Sequence, residues 1–155
     1  MAKNDCPCGS GRRYSECCKP LHRGLREASD AVELMRSRYA AFALKEAAYL
    51  WRTLAPQHED RSRPEEEVLR EIRQSASVNR YMGLQVLDSR PPDEGGVAQV
   101  LFLARVWQGG RNLSFVERSD FVHDGIGWRY WRGVLRPVAA VEGDATKLTI
   151  ASFNG

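Results

Sequence analysis

The fold of this chain of 155 residues is decided by the stretch Val97-Ala-Gln-Val-Leu-Phe-Leu-Ala-Arg-Val-Trp-Gln108. The stretch is apolar almost throughout and lies between two Gly-Gly turns, a pattern typical of a strand that is buried on both faces. Such a strand needs a partner strand along each edge and further elements above and below the sheet. The sequence on either side is expected to supply them.

Three more strands are predicted around this stretch. Residues 81–87 precede it, and residues 112–123 and 128–135 follow it, each set off by glycine or proline turns. Because these turns are short, consecutive strands should pair as antiparallel hairpins. Beyond Pro137 the pattern weakens, and residues 147–152 are predicted to be a short edge strand or a tail.

Three helices are predicted before the first strand. Asp30 and Glu33 have the spacing of a capping box, which marks the start of the first helix. A second helix is expected over residues 45–54, and a third has Pro64 in its first turn. Helices followed by a meander of strands indicate an α+β fold, with three N-terminal helices packed on a curved antiparallel sheet.

All four cysteines fall within thirteen residues near the N-terminus, at Cys6, Cys8, Cys17 and Cys18. Four thiolates at about 2.3 Å complete a closed tetrahedral shell, so we predict one structural zinc ion per chain with no position left for water or substrate. Disulfides and free thiols remain alternatives, and His22 is a spare ligand if one thiol is not used.

Length and composition favour one compact domain with a small appendage. We predict a zinc knuckle over residues 1–22, a linker over residues 23–29 and the α+β domain over residues 30–155. No apolar run approaches the roughly 20 residues needed to cross a bilayer, so no membrane association is expected. The absence of a recognisable secretory signal and the clustered cysteines together predict a cytoplasmic location.

Three sequence segments carry a resemblance to known families. The run CPCGSGRRYSECC resembles the SEC-C motif, the zinc-binding segment that ends many SecA translocation ATPases. The segments LMRSRYAAF and ERSDF, at residues 34–42 and 117–121, resemble the YchJ-like family of uncharacterised bacterial proteins. The resemblance implies a SEC-C knuckle leading into a cone similar to nuclear transport factor 2. Some members end in a second SEC-C copy, whereas this sequence has no further cysteine.

The positive charge of the chain is concentrated near the knuckle. Residues 1–26 hold six basic and two acidic side chains, whereas the remainder holds seventeen basic and eighteen acidic ones. This excess would suit an acidic protein or an RNA backbone, or it merely offsets the negative charge of a zinc–thiolate centre. Direct binding of nucleic acid is not expected, because the remainder of the chain is slightly acidic overall.

SecA-type knuckles engage the SecB chaperone and ribosomes, so the resemblance implies a protein or ribosomal partner. We therefore predict a cytoplasmic adaptor in which Arg12, Arg13 and Tyr14 are the exposed contact residues of the knuckle. A homodimer formed through an exposed face of the sheet is a further expectation.

A cone-shaped sheet closed by helices usually leaves an apolar cavity at its open end, where a small apolar ligand or a second protein could bind. The same aromatic side chains could instead simply fill the core. The predicted wall residues are Tyr39, Phe42, Trp51, Tyr81, Phe102, Phe115 and Trp128.

Catalysis is the alternative to the adaptor function. Strand alternation places Glu117 on the same face as Phe115, so its carboxyl group should point inward, where Arg36 or Arg38 could pair with it. Glu117 and His58 are weak candidates for the acid or base of an isomerase or hydratase. Because phosphate-binding loops and nucleophile elbows are absent from the sequence, a non-enzymatic role is preferred.

Overall fold

A computed structural model describes residues 4–154, which fold into five α-helices, five strands and short 3-10 turns. The helices are α1 (Lys19–His22), α2 (Ala31–Leu44), α3 (Ala47–Arg52), α4 (Glu65–Val78) and α5 (Ile150–Asn154). The strands are β1 (Arg80–Arg90), β2 (Ala98–Gln108), β3 (Arg111–Asn112), β4 (Phe115–His123) and β5 (Trp128–Pro137).

Helix α2 begins as its sequence predicts. The Asp30 side chain accepts a hydrogen bond of 2.8 Å from the Glu33 N–H, and the Glu33 carboxylate accepts one of 2.8 Å from the Ser29 N–H. The Asp30 carboxylate thus satisfies an N–H group of the first helical turn, and the Glu33 carboxylate satisfies the N–H of the residue just before the cap. Arg26 also pairs with Glu33 at 2.7 Å, which fixes the chain that enters α2.

The sheet is antiparallel, with the order β1-β2-β4-β5 and the short β3 paired to β2. Register shifts in β1 and between β4 and β5 curve the sheet around α2, α3 and α4. This arrangement confirms the α+β prediction of three helices packed on a curved sheet.

The predicted strand over residues 112–123 is interrupted near its start. The Ser114 hydroxyl accepts a hydrogen bond from the Val106 N–H, and the Ser114 N–H donates to the Asn112 side chain. These side-chain bonds replace the regular ladder, so β3 ends at Asn112 and β4 begins at Phe115.

Strand β2 is buried on both faces, as its continuous apolar sequence predicts. Val100, Phe102 and Ala104 lie in the core cluster beneath the helices. Leu101 and Leu103 point the other way and belong to a second cluster, which Ile150 and Phe153 of α5 complete. The segment from Val138 onward therefore covers the outer face of the sheet, and we call residues 138–154 the outer cover.

The prediction of a short edge strand or tail over residues 147–152 was wrong. The chain there forms a 3-10 turn, Ala145–Lys147, and then helix α5. The outer face of β2 needs an apolar cover rather than another hydrogen-bonded edge, and Ile150 and Phe153 lie one helical turn apart to supply it. Among residues 4–154, no helix is both long and apolar enough to span a bilayer.

Candidate metal centre and ligand cavity

The four cysteines converge although they are separated in sequence. Their sulfur atoms all lie within 4.8 Å of one another, with 3.6 Å between Cys8 and Cys17 and 3.9 Å between Cys17 and Cys18. Four thiolates in tetrahedral contact with one ion at about 2.3 Å would be about 3.8 Å apart. The cluster therefore fits a single four-coordinate metal ion.

The backbone of the knuckle is folded to bring these thiols together. The Cys6 N–H donates to the Arg12 carbonyl at 2.8 Å, which closes a loop around Gly9 and Gly11. Both glycines have positive φ angles, of 79° and 81°, which other residues rarely adopt. A 3-10 turn over Tyr14–Glu16 then returns the chain to the third and fourth cysteines.

Protonation of the thiols explains why this cluster favours a cation. Hydrogen bonding from Cys18 lowers the pKa of Cys8 far below its usual range. The hydrogen bond that Cys18 shares with Cys6 raises the pKa of Cys18, as do Cys8 and burial. Four adjacent thiolates would repel one another, and a bound cation removes this conflict by replacing the shared protons. None of the four cysteines forms a disulfide, so the disulfide alternative is not observed.

His22 is not a ligand in this arrangement. Its Nε2 lies 2.8 Å from the Ser37 carbonyl oxygen, and its Nδ1 lies 2.7 Å from the Tyr14 hydroxyl. Because a carbonyl can only accept, Nε2 carries the proton and Nδ1 accepts from Tyr14. Burial lowers the pKa of His22, which favours this neutral form. The ring therefore joins the knuckle to α2.

Two further contacts attach the knuckle to the α+β domain. The Arg36 side chain donates to the Cys8 carbonyl at 2.8 Å, and the buried Ala40 packs against the cysteine cluster. On the other side, a Cβ added to Gly9 would lie 3.3 Å from the Leu84 carbonyl of β1. The knuckle is therefore held between α2 and the sheet. The predicted domain boundaries, with a knuckle that ends at residue 22 and a linker that ends at residue 29, stay a prediction.

The predicted contact residues of the knuckle differ in their exposure. Arg12 and Arg13 are exposed, and Arg12 donates to the Glu16 carbonyl. Tyr14 is only half-buried rather than exposed, because its ring packs against the cysteine cluster and its hydroxyl bonds to His22. Of the three predicted contact residues, the two arginines therefore lie on the knuckle surface, and Tyr14 is oriented inward.

The concave face of the sheet and α2 enclose a cavity of about 210 Å³. Five of the seven predicted wall residues line it, namely Tyr39, Phe42, Tyr81, Phe102 and Phe115. Trp51 and Trp128 do not. Trp51 lies beneath the Arg61 guanidinium at 4.7 Å, and Trp128 packs edge-on against His123 at 5.5 Å, so both were placed wrongly.

Glu117 projects into this cavity, as strand alternation predicts. Its Oε2 accepts hydrogen bonds from the Ser119 hydroxyl and, at 3.2 Å, from the Tyr130 hydroxyl. Burial raises the pKa of Glu117 despite these two donors. The predicted ion pair with an arginine is not formed, because Arg36 is engaged with the knuckle.

Arg38 reaches the same cavity from α2. Its Nη1 donates to the Leu50 carbonyl at 2.9 Å and to the Thr53 hydroxyl at 2.6 Å, while its guanidinium lies 4.8 Å from the centre of the Tyr130 ring. Tyr130 is held in turn by backbone hydrogen bonds to Thr53 and Ala55. Arg38, Glu117, Ser119 and Tyr130 form a polar corner in an otherwise apolar wall.

The sequence analysis missed Ser119, Tyr130 and Gly133 of this site. A Cβ at Gly133 would overlap the Glu117 carboxyl group and lie 2.9 Å from the Tyr130 hydroxyl, so only glycine leaves room for both. The available signal was a glycine inside the strand sequence Trp128-Arg-Tyr-Trp-Arg-Gly133, since such glycines often mark close approach of another group.

His58 lies outside the cavity, on the far side of Tyr130. Its ring packs 5.7 Å from that of Tyr130, and its Nδ1 accepts a hydrogen bond of 3.0 Å from the Asp60 N–H. His58 thereby caps the 3-10 turn Glu59–Ser62 and does not face Glu117. Its predicted role as a cavity base does not fit this position.

Comparison with known families identifies both parts of the chain. The YchJ middle NTF2-like domain matches residues 30–133, more than half of the sequence, and the SEC-C motif matches residues 4–20. These matches confirm the two resemblances inferred from the sequence segments.

Two solved structures share the fold. A SEC-C motif-containing protein from Rhodopseudomonas palustris, determined in solution, is 37% identical with a TM-score of 0.71, and the match covers 83% of this chain and 96% of that one. A crystallised SEC-C motif-containing protein from Psychrobacter arcticus is 25% identical with a TM-score of 0.70, and the match covers 90% of this chain and 84% of that one.

Proposed function

This chain belongs to the family of the YchJ middle NTF2-like domain, and from that premise we propose that it is a cytoplasmic adaptor whose zinc knuckle docks a protein or ribosomal partner. The cone domain binds a small ligand or a second protein. The observation that carries the proposal is the convergence of four buried or half-buried sulfur atoms with the geometry of one closed metal shell.

Zinc is the ion that suits this site best. It prefers four tetrahedral thiolates, has no redox chemistry and is common in closed structural sites. A closed shell leaves no position at which the ion could activate water, so its role is to hold the knuckle in shape. The lack of disulfides among the described residues also suits a reducing cytoplasm.

The docking surface of the adaptor is formed by Arg12 and Arg13. Both side chains are exposed on the knuckle, within the part of the chain that carries the basic excess. They would attract an acidic protein surface or a ribosome over distances of about 8 Å, the Debye length at physiological salt.

Metal analysis tests the zinc site. Protein purified with zinc should contain about one ion per chain, and Cys8→Ser should contain far less, because three thiolates leave the shell incomplete. His22→Gln is the matched control, since it removes a nearby histidine but leaves all four thiols. Equal zinc loss in both variants would contradict the four-cysteine assignment.

A charge-reversal experiment tests docking. The double variant Arg12→Glu/Arg13→Glu should bind purified bacterial ribosomes, or a protein captured from extract, roughly tenfold or more weakly. Arg70→Glu/Arg73→Glu is the control, because it reverses the same charge on the exposed face of α4. Unchanged binding in the knuckle variant, or an equal loss in both, would overturn the docking surface.

A second candidate function is acid–base catalysis on a small molecule. The observation that favours it is the carboxyl group of Glu117 beside the Tyr130 hydroxyl inside the cavity. A raised pKa suits a general acid or base near neutral pH. Glu117→Gln would abolish an isomerase or hydratase activity, whereas Arg12→Glu/Arg13→Glu would leave it intact.

A further inference from the structure

The polar corner of the cavity contains a cationic group with open hydrogen-bonding capacity. Arg38 uses Nη1 for its bonds to Leu50 and Thr53. The other guanidinium N–H groups of Arg38 have no hydrogen-bond partner among residues 4–154. Within the described part of the chain, Arg118 has the one side-chain nitrogen that is both fully buried and without a partner. The unpartnered nitrogens of Arg38 are therefore accessible to solvent. Arg38 therefore offers free donors to the cavity.

Glu117 offers the complementary group. Both hydrogen bonds that it accepts, from Ser119 and Tyr130, end on Oε2. In a protonated Glu117 the proton would therefore lie on Oε1, which has no partner among the described residues. Ser119 and Tyr130 hold this carboxyl group in place, and Arg38 from α2 lines the same cavity.

The rest of the cavity is apolar. Met35, Phe42, Phe102 and Phe121 contribute to its wall. Its volume of about 210 Å³ exceeds the roughly 150 Å³ of an engineered apolar cavity that binds benzene. One aromatic ring with a short side chain, or a branched aliphatic chain of similar size, therefore fits.

The charge of the wall limits the ligand further. Arg38 is the one cationic residue among those that line the cavity. A ligand with a single negative charge would be compensated by this guanidinium, whereas a phosphate monoester would leave charge unpaired in an apolar site.

We propose that the cone cavity binds a small aromatic or branched monocarboxylic acid, whose carboxylate accepts hydrogen bonds from Arg38 and Glu117 while its apolar body packs among the phenylalanines. The proposal rests on the cone having a small-molecule ligand, which is one part of the proposed function. It adds the chemical class of that ligand and the two residues that select it.

Calorimetric titration with phenylacetate and with phenylacetamide tests the ligand class. The two compounds have nearly the same shape, and only the acid carries a negative charge that can form an ion pair with Arg38. At pH 6 the acid should bind roughly tenfold to a hundredfold more tightly than the amide, as expected for hydrogen bonds to a charged group. Arg38→Gln should remove this preference, while the surface variant Arg70→Gln should keep it.

The pH dependence gives a second readout that does not require a change at Arg38. The ionisable groups lining the cavity with Glu117 are Arg38, Tyr39, Tyr81 and Tyr130. Burial raises the pKa of Glu117 and of all three tyrosines, so Glu117 is the group among them that loses a proton first as the pH rises. Affinity of the wild type for phenylacetate should fall as the pH rises and Glu117 loses its proton. Above this transition, Glu117→Gln should bind phenylacetate more tightly than the wild type.

The outcomes separate this inference from the proposed function. Equal binding of acid and amide would overturn the carboxylate class and leave the cone as a ligand site. No binding of either compound would overturn the inference and the small-ligand part of the proposed function together. The knuckle is tested independently, since Cys8→Ser should lose zinc without losing the preference for the acid.

Discussion

At Glu117, burial and hydrogen bonding act on the carboxyl group in opposite directions. Burial raises its pKa above the ordinary value of 4.5, while the donors Ser119 and Tyr130 and the charge of Arg38 lower it, and burial prevails. Between the unfolded-state pKa of about 4.5 and the higher native-state pKa, Glu117 is protonated in the native state and ionised in the unfolded state. The native state therefore binds more protons over this pH range. By linkage, the free energy of unfolding must fall as the pH rises from about 4.5 through the native pKa.

Replacing this carboxyl group should therefore stabilise the protein at neutral pH. Glu117→Gln keeps an oxygen that can accept from Tyr130 but cannot ionise, so its melting temperature should exceed that of the wild type at pH 8 and not at pH 4. Each unit by which the native pKa of Glu117 exceeds its unfolded pKa corresponds to about 1.4 kcal/mol in the free energy of unfolding.

Thermal unfolding of both proteins across this pH range measures the difference directly. The exposed substitution Glu66→Gln, on the surface of α4, is the control for loss of a negative charge. If the wild type were as stable as Glu117→Gln at pH 8, ionisation of Glu117 in the folded protein would carry no free-energy penalty, which would contradict the prediction.

The direction in which a side chain points could be predicted wherever the regular period of a strand or helix determines it. The alternation of β4 placed Glu117 inward correctly, because successive side chains of a strand point to opposite faces. Trp51 and Trp128 were placed wrongly, because each sits near the end of an element and packs against a residue outside the cavity, Arg61 of a 3-10 turn and His123 at the end of β4. The contact between His22 and Ser37 joins two separate helices, and no local pattern encodes it.

At the scale of elements, the outer cover explains the composition of β2. An antiparallel strand in a two-layer fold normally alternates between apolar and polar residues, but β2 has apolar groups on both faces because helices cover one face and residues 138–154 the other. The predicted homodimer would have to use a different part of the sheet. It stays a prediction.

Phe153 should carry much of this cover, since its side chain is 1% exposed against Leu101, Leu103 and Val116. Phe153→Ala should lower the free energy of unfolding by about 3 to 5 kcal/mol, because it removes a buried ring and leaves a cavity. Ala151→Ser, on the exposed side of the same helix, should change it by less than about 0.5 kcal/mol. Chemical denaturation of both variants measures the contrast, and a similar small effect at Phe153 would mean that the cover is dispensable.

The need for a cover could be predicted from β2, but the identity of the cover could not. Helix α5 has five residues, too few for a helical period to stand out from a strand-like one. Its two buried residues, Ile150 and Phe153, are separated by polar and small side chains that also suit an exposed tail. Only the tertiary contact with Leu101 and Leu103 distinguishes the two.

For the molecule as a whole, the knuckle and the α+β domain share a boundary that the sequence did not reveal. Leu21 is 1% exposed and belongs to the main core cluster, Arg52 donates to its carbonyl at 3.0 Å, and Arg36 holds the Cys8 carbonyl. A metal ion that shapes the knuckle would therefore also support the helices beneath it.

Removal of the metal should lower the stability of the entire chain. Loss of Leu21 burial alone is worth about 1.5 to 3 kcal/mol, so a chelator should reduce the melting temperature of the sheet by roughly 5 to 10 °C. Circular dichroism during heating measures this change.

The Cys8→Ser variant is the control for this experiment, because the chelator should not destabilise it further. An unchanged melting temperature, with disorder limited to the knuckle, would instead show that the α+β domain is stable without it.

The outer cover also sets an order of events during protein synthesis. Strands β2 and β4 emerge from the translating ribosome before residues 138–154, so a nascent sheet would present Leu101, Leu103 and Val116 side by side until the cover is made. Exposed apolar strips on newly made sheets are prone to aggregate and to be held by chaperones. Maturation of this protein should therefore depend on how promptly the segment after β5 is translated and docks.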